Sequence, residues 1–374
     1  MKDERLAFGM MRLPRLDEED RGSIDIEQTK KMVDAYIKAG FSYFDTAYRY
    51  CMGNSETAVK TCITERYPRE SCRIVSKLPS CVLECKEDRD RVFNEQLEKT
   101  GARYFDNYLL HNVSESTIDR FNEFDCFSWL KEKRDSGAVG HAAMSFHGTP
   151  ELLDKLLTEY DFIEFVQLQL NYLDWESPSV RARECYETVI RHGRRVLVME
   201  PVKGGALASL PADIEARFLA SEPDMSIASW GIRFAATLPG VEMVLSGMSN
   251  VEQMEDNIRT MSEFRPLTDE QMKLCLDAAR QIRESIVIPC TACDYCVSKC
   301  PLEIPASSYF DLINRMAREN IKRPDWDMRD DYKKITETKT KPGDCLGCGM
   351  CEEACPQHLQ IRELLKNVSN LFEA

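Results

Sequence analysis

Two stretches of the chain carry the same cysteine spacing. CTACDYCVSKCP (290–301) and CLGCGMCEEACP (345–356) both read C-x2-C-x2-C-x3-C-P. Three thiolates on a short loop suit one face of an iron–sulfur cubane, and the fourth, followed by Pro301 or Pro356, points away to ligate the other cluster. The spacing predicts two [4Fe–4S] clusters with crossed ligand sets: Cys290, Cys293 and Cys296 with Cys355, and Cys345, Cys348 and Cys351 with Cys300. Gly347 and Gly349 leave the second loop free to bring its amides toward cluster sulfur. The competing chemistry is a zinc ribbon, which needs paired C-x2-C knuckles and four ligands per ion. It leaves the third cysteine of each triplet, and the proline, without a role.

A second set of residues could do proton chemistry. Asp45 ends the apolar run FSYFD, Tyr50 lies in the loop beyond it, Lys77 ends RIVSK and His111 ends NYLLH. Each alone has an ordinary structural reading. Brought together, an ammonium beside a phenol favours phenolate, and a carboxylate keeps that ammonium charged. Such a tyrosine can give a proton near neutral pH, with His111 bonding a substrate oxygen.

These residues need a scaffold. From residue 4 to about 261 the apolar runs RLAFGMM, FSYFDT, CRIVSKL, YFDNYLLH, AVGHAAMSF, FIEFVQLQL, RRVLVME and VEMVLSG alternate with amphipathic segments. The helical segments end on Gly40, Gly101, Gly137 and Gly193, a common helix stop. Eight strand–helix units predict an α/β fold, a (β/α)8 TIM barrel, whose chemistry gathers at the C-terminal strand ends. An open doubly wound sheet is the alternative, but Gly9 is followed by MMRLP and not by a glycine-rich turn. TDEQMKLCLDAARQIRES reads as a closing helix in which Thr268 and Gln271 form a capping box. The expected domains are residues 1–285, the barrel, and 286–374, a small and mainly helical iron–sulfur dicluster domain. Within the latter, SSYFDLINRMAREN reads as a helix and RPDWDMRDDYKKITETKTKPGD as a polar surface excursion.

Composition bounds the rest. The 374 residues are 43% hydrophobic, enough for a packed core, and the net charge of −14 argues against nucleic acid or an anionic membrane as partner. MKDERLAFGM has no apolar signal segment, and no run is long enough to span a membrane. A cytoplasmic protein is expected. The eight scattered cysteines (Cys51, Cys62, Cys72, Cys81, Cys85, Cys126, Cys185 and Cys275) read as small buried apolar residues in a reducing compartment.

The motifs carry a resemblance. YFDTAYRY with GNSE, then IVSK and YLLH, is similar to the signature of the aldo/keto reductases, as are MSFHG, VQLQLNYLDW, MEPVKGG and LSGMSNVEQMEDNI. The tail resembles the dicluster domain that a subset of that family carries. The resemblance implies hydride transfer between a nicotinamide and a small carbonyl or alcohol, with Asp45, Tyr50, Lys77 and His111 as the catalytic tetrad. It further implies cofactor contacts from Gly9, Met10, Ser145 and Gln167, and a loop of Pro201, Val202, Lys203, Gly204 and Gly205 near the pyrophosphate. Ser249, Gln253 and Asn257 would take the adenosine end, and the residues themselves agree. Ser249 precedes a helix whose amides attract phosphate, and Gln253 and Asn257 stand four apart on one face. NADP(H) is favoured over NAD(H), although the Lys and Arg that many members place on the 2′-phosphate are replaced by Gly247, Met248 and Gln253.

Hydride carries two electrons, whereas a cluster takes one at a time, and no flavin motif bridges the two modes. Three functions stay open: an NAD(P)H-dependent oxidoreductase whose clusters exchange electrons with a redox protein partner or stabilise the fold; an electron-transfer protein whose barrel docks a partner; and a nucleotide-sensing module with little turnover. The complete tetrad favours the first.

Overall fold

Each of the eight apolar runs forms a parallel strand in the computed structural model, which describes residues 4–17, 19–285, 287–318 and 321–373. The strands are β1 (Leu6–Gly9), β2 (Tyr43–Asp45), β3 (Arg73–Pro79), β4 (Phe105–Val113), β5 (Val139–Phe146), β6 (Phe165–Gln169), β7 (Arg195–Met199) and β8 (Val241–Gly247). They close into a barrel in chain order, with β8 pairing back to β1. This is the (β/α)8 barrel.

The barrel interior explains where the polar residues go. Ala7, Tyr43, Val75, Leu109, Ala143, Phe165, Leu197, Met243 and Leu245 form one buried cluster drawn from all eight strands. Alternate strand residues share a face, so the positions two further along turn the same way. Those positions are Gly9, Asp45, Lys77, His111, Ser145, Gln167 and Met199. The apolar layer therefore supports a polar one. Lys77 and His111 do not close their strands, as their runs suggest; β3 and β4 continue to Pro79 and Val113.

The helices between strands begin and end where their sequence signals stand. Asp25 accepts from Gln28 N at 2.9 Å and caps the Ile26–Lys38 helix, a contact contributing about 1 kcal/mol. Gly101 ends the Asp88–Thr100 helix at φ 64, where a Cβ would also meet Thr64 Oγ1 at 2.8 Å. Thr268 and Gln271 exchange hydrogen bonds of 3.0 and 3.3 Å in the expected capping box.

The chain divides into two compact units, Met1–Glu176 with Arg181–Met272, and Ser177–Val180 with Lys273–Ala374. The boundary expected after residue 285 falls at Ile286, outside the described residues. The second unit is helical, with helices Tyr295–Lys299, Ala306–Arg318, Trp326–Thr338, Met350–Glu353 and Ile361–Phe372. Its core includes Ile304, Tyr309, Phe310, Met328, Tyr332, Leu365 and Phe372. The Ala306–Arg318 helix matches expectation, while Glu319 and Asn320 lie outside the described residues. The polar excursion is corrected: it contains the Trp326–Thr338 helix, capped by Asp325 on Met328 N at 2.9 Å. Met328 and Tyr332, four apart, bury one face, and the Tyr332 ring stacks on Phe372 at 4.8 Å. Two apolar side chains at helical spacing outweigh the polar composition around them.

The scattered cysteines also depart in part from expectation. Cys62, Cys72, Cys126, Cys185 and Cys275 are buried, but Cys51 is half-buried and Cys81 and Cys85 are exposed. Cys81 and Cys85 lie in the loop after β3, outside the layered core. Among the described residues, no helix is long and apolar enough to cross a membrane.

Candidate active site and cysteine centres

Lys77 is fully buried, and its Nζ donates to Asp45 Oδ2 at 2.6 Å and to Thr46 O at 2.8 Å. The same Nζ stands 4.8 Å from the centre of the Tyr50 ring. On the other side, Tyr50 and His111 meet edge to face at 5.8 Å. Strand alternation brings Asp45, Lys77 and His111 to one level, and Tyr50 follows β2 at the start of a short turn, its N donating to Ala47 O at 3.1 Å. All four predicted catalytic residues therefore gather at the C-terminal end of the barrel.

Burial raises the Asp45 carboxyl above its usual range and lowers the Lys77 ammonium, while the charge of each partner opposes the shift in the other. Burial, helped by Lys77, His147 and Arg49, holds His111 well below the ordinary imidazole value. His111 is accordingly a neutral imidazole at physiological pH.

Behind Lys77 lies a network that no local pattern announced. The fully buried Glu56 accepts at Oε1 from Ser76 Oγ and Gln96 Nε2, both at 2.6 Å. Gln96 also donates to Lys77 O at 3.1 Å, and its Oε1 accepts from the Tyr108 hydroxyl. Burial raises the Glu56 carboxyl, and its Oε2 has no hydrogen-bond partner. Glu56 closes the GNSE stretch, but Ser76 and Gln96 come from other elements.

The predicted cofactor residues have mixed surroundings. Gly9 approaches β8 so closely that a Cβ would stand 3.3 Å from Ser246 O. Met10 is fully buried, its N donating to Asp45 O at 2.9 Å and its O accepting from Ser55 Oγ at 2.9 Å. Ser145 Oγ accepts from Asn112 N at 2.7 Å, and Gln167 Nε2 donates to Asp45 Oδ1 at 3.3 Å. Pro201 is buried under the Ile227–Thr237 helix, where a Cβ on Gly231 would meet Pro201 O at 2.5 Å. Lys203 is buried and paired with Asp174 at 2.6 Å, and Gly204 and Gly205 follow with φ of 65 and 102.

At the Val251–Ser262 helix, Asn250 is the cap, accepting from Gln253 N at 2.8 Å. Gln253 returns to Ser249 N at 2.8 Å, and Ser249 Oγ donates to Arg12 O at 2.8 Å. Asn257 turns inward to Ser246 Oγ at 2.8 Å, so Gln253 is exposed and Asn257 buried. Arg12, which the sequence did not single out, packs on Gly247 and lies 3.9 Å from Glu200 Oε1. Its Nη2 is buried without a hydrogen-bond partner.

The second unit brings the clustered cysteines together. Cys296, Cys300, Cys345, Cys348 and Cys351 line one cavity. Cys296 is pushed up to about 12 by burial, with Cys293, Cys290, Cys355 and Cys351 adding to the shift. Neighbouring thiols that resist ionisation suit a cationic iron centre, which would stabilise them as thiolates. Among the described residues, no three side chains close on a point as ligands of a single ion would. A cubane takes its thiolates at separate corners and needs them spread around a space.

Residues 5–280 match the model of the aldo/keto reductase family, and 289–359 match that of the 4Fe-4S dicluster domain. The chain belongs to the aldo/keto reductase family. It is 24% identical over 295 residues to an uncharacterized oxidoreductase, YqkF, of Bacillus subtilis (strain 168), covering 69% of this chain and 90% of that one. Two solved structures share the reductase fold. The holo form of aldo-keto reductase AKR11C1 from Bacillus halodurans matches at 22% identity and TM-score 0.59, over 73% of this chain and 91% of that one. An aldo/keto reductase from Klebsiella pneumoniae, in complex with NADP and acetate, matches at 17% identity and TM-score 0.59, over 72% and 89%.

As an aldo/keto reductase the chain is an oxidoreductase, and it carries a C-terminal 4Fe-4S dicluster domain. Its barrel offers a buried cation, a phenol and a neutral imidazole at one level, a set able to move one proton and orient one oxygen.

Proposed function

We propose that the chain is an NADP(H)-dependent oxidoreductase that reduces a small carbonyl, or oxidises the alcohol in reverse, with Tyr50 as proton donor. The observation that carries this reading is the Lys77 ammonium, tied to Asp45 at 2.6 Å and held 4.8 Å from the Tyr50 ring. When bound, the nicotinamide supplies the hydride. Tyr50 gives its proton to the carbonyl oxygen, and Lys77 stabilises the phenolate that remains. Asp45 keeps Lys77 protonated in a site whose burial works against that charge. Neutral His111 bonds the same oxygen and orients it.

Ser145 and Gln167 face the nicotinamide amide, and Gly9, Met10, Pro201, Lys203, Gly204 and Gly205 shape the cofactor groove. Ser249, Gln253 and Asn257 belong to the adenosine end. Arg12 supplies a cation there: its Nη2 faces Glu200 at 3.9 Å but has no hydrogen-bond partner beside the Val251–Ser262 helix N-terminus. NADP(H) is preferred to NAD(H) on the strength of that cation and of the NADP complex described for the Klebsiella relative.

The eight motif cysteines hold two [4Fe–4S] clusters in crossed sets, in a domain taken as residues 286–374 after a barrel of 1–285. The clusters either exchange electrons with a redox protein partner or stabilise the fold. A reducing cytoplasm suits the exposed thiols of Cys81 and Cys85. Turnover of NADPH and NADH against a panel of aldehydes and ketones tests the barrel. Tight NADPH binding with no turnover on any carbonyl would transfer the argument to docking or nucleotide sensing.

A further inference from the structure

A cation lines the cavity beside the second cysteine loop, and a buried carboxylate stands within the first. Among the described residues, Arg362 is the one charged side chain lining the cavity of Cys296, Cys300, Cys345, Cys348 and Cys351. Its Nη1 donates to Gly347 O, inside the second loop, at 3.3 Å, and its Cζ would lie 3.7 Å from a Cβ on Gly349. Glu352, the residue after Cys351, holds the guanidinium, accepting from Nη2 at 2.8 Å and Nε at 3.0 Å, and does not itself line the cavity. In the first loop Asp294 stands between Cys293 and Cys296, and Lys299 directly precedes Cys300, which is assigned to the other cluster. Asp294 is buried and accepts from Ser307 Oγ.

Reducing a cluster adds one negative charge. A nearby cation stabilises that state and raises the reduction potential; a nearby carboxylate lowers it. We infer that Arg362 and Asp294 separate the two potentials, with the cluster of the second cavity held above the cluster of the first loop. Electrons then rest on the second cluster, beside exposed Leu346 and Cys348. The inference builds on the proposed two-cluster reading and adds the order in which the clusters fill.

The test is a redox titration followed by electron paramagnetic resonance on anaerobically purified full-length chain, after iron and sulfide have been measured. Cys348→Ser and Cys293→Ser mark which couple belongs to which cavity, by shifting or abolishing it. In the parent the Cys348-marked couple should be the higher. Arg362→Gln should lower that couple and leave the other in place, while Arg362→Lys should hold it near the parent. Glu352→Gln, which keeps the cation and removes its counter-charge, should raise the same couple. Asp294→Asn should raise only the Cys293-marked couple. Should Arg362→Gln disturb iron content, Arg362→Lys and the two carboxylate variants still carry the test. Full iron content with couples in the reverse order, or couples that stay put or move together, overturns the inference. A parent chain without iron overturns the two-cluster reading instead.

Discussion

Cys300 and Cys345 line one cavity although two thirteen-residue helices separate them in the chain. Cys348, Cys351 and Cys296 line it too, and Cys296 has Cys290, Cys293, Cys355 and Cys351 among its neighbours. Cys300 beside the second triplet, and Cys355 beside Cys296 and Cys293, are neighbours that the proposed crossed ligation requires. Cys300→Ser is expected to remove or alter the cluster marked by Cys348→Ser, with loss of up to about four of eight irons. Cys355→Ser should do the same to its counterpart. Damage confined to the cluster next in sequence would contradict crossed ligation.

Glu56 makes a stability prediction whose sign is fixed. Its folded-state carboxyl is raised by burial, so the folded chain holds that proton more tightly than the unfolded one. The stability this contributes is fully present below the ordinary carboxylate value and is lost as pH rises through the folded value, by about 1.4 kcal/mol per pH unit within the window. Glu56→Gln keeps an acceptor for Ser76 and Gln96 but cannot ionise. Melting temperatures of parent and variant should therefore diverge in favour of the variant as pH rises from about 4.5. A constant difference between pH 4 and pH 8 would remove Glu56 as the cause.

That network also marks the limit of what could be read from sequence. Short apolar runs and helix-ending glycines locate all eight strands, because each signal is local. The tetrad was legible because Asp45, Lys77 and His111 stand at the ends of apolar runs and the motifs around them resemble a known family; the structure adds that the three share the parity of the buried residues two positions before them. The contacts of Ser76 and Gln96 with Glu56 arise only when β3 and the Asp88–Thr100 helix pack together. Gln253 and Asn257, four apart, have opposite exposures because one serves the helix cap and the other meets Ser246. Arg12 needed β8 beside β1 before its position meant anything.

His111 should show no titration in the ordinary imidazole range. Burial is the largest cause of its lowered pKa, and Lys77, His147 and Arg49 add positive charge around it. Its ring signals, followed by NMR, should stay those of a neutral imidazole through pH 6.5. Lys77→Met removes one of those charges and should move the titration upward without restoring the free value, since burial persists. A parent midpoint near 6.5 would mean that water reaches the ring and that His111 is not the neutral donor assigned to it.

The proton donor can be separated from cofactor binding. Tyr50→Phe keeps the ring that meets His111 at 5.8 Å and removes only the hydroxyl. Carbonyl reduction should then fall by roughly 10²–10⁴-fold, as when a general acid is removed. Nicotinamide affinity, followed by fluorescence quenching, should stay close to that of the parent, because the hydroxyl has no assigned part in holding the cofactor. Lys77→Met acts differently. It removes the ammonium 4.8 Å from the Tyr50 ring and leaves Asp45 buried without its partner at 2.6 Å. An unpaired buried partner costs about 3–5 kcal/mol, so this variant should melt lower than Tyr50→Phe. Its residual turnover should also have a pH profile displaced toward the ordinary phenol value of about 10. Parent-like turnover in Tyr50→Phe on a good substrate would end the reductase mechanism. Slow turnover in both variants, with a displaced profile only in Lys77→Met, is the pattern that a lysine-tuned phenol requires.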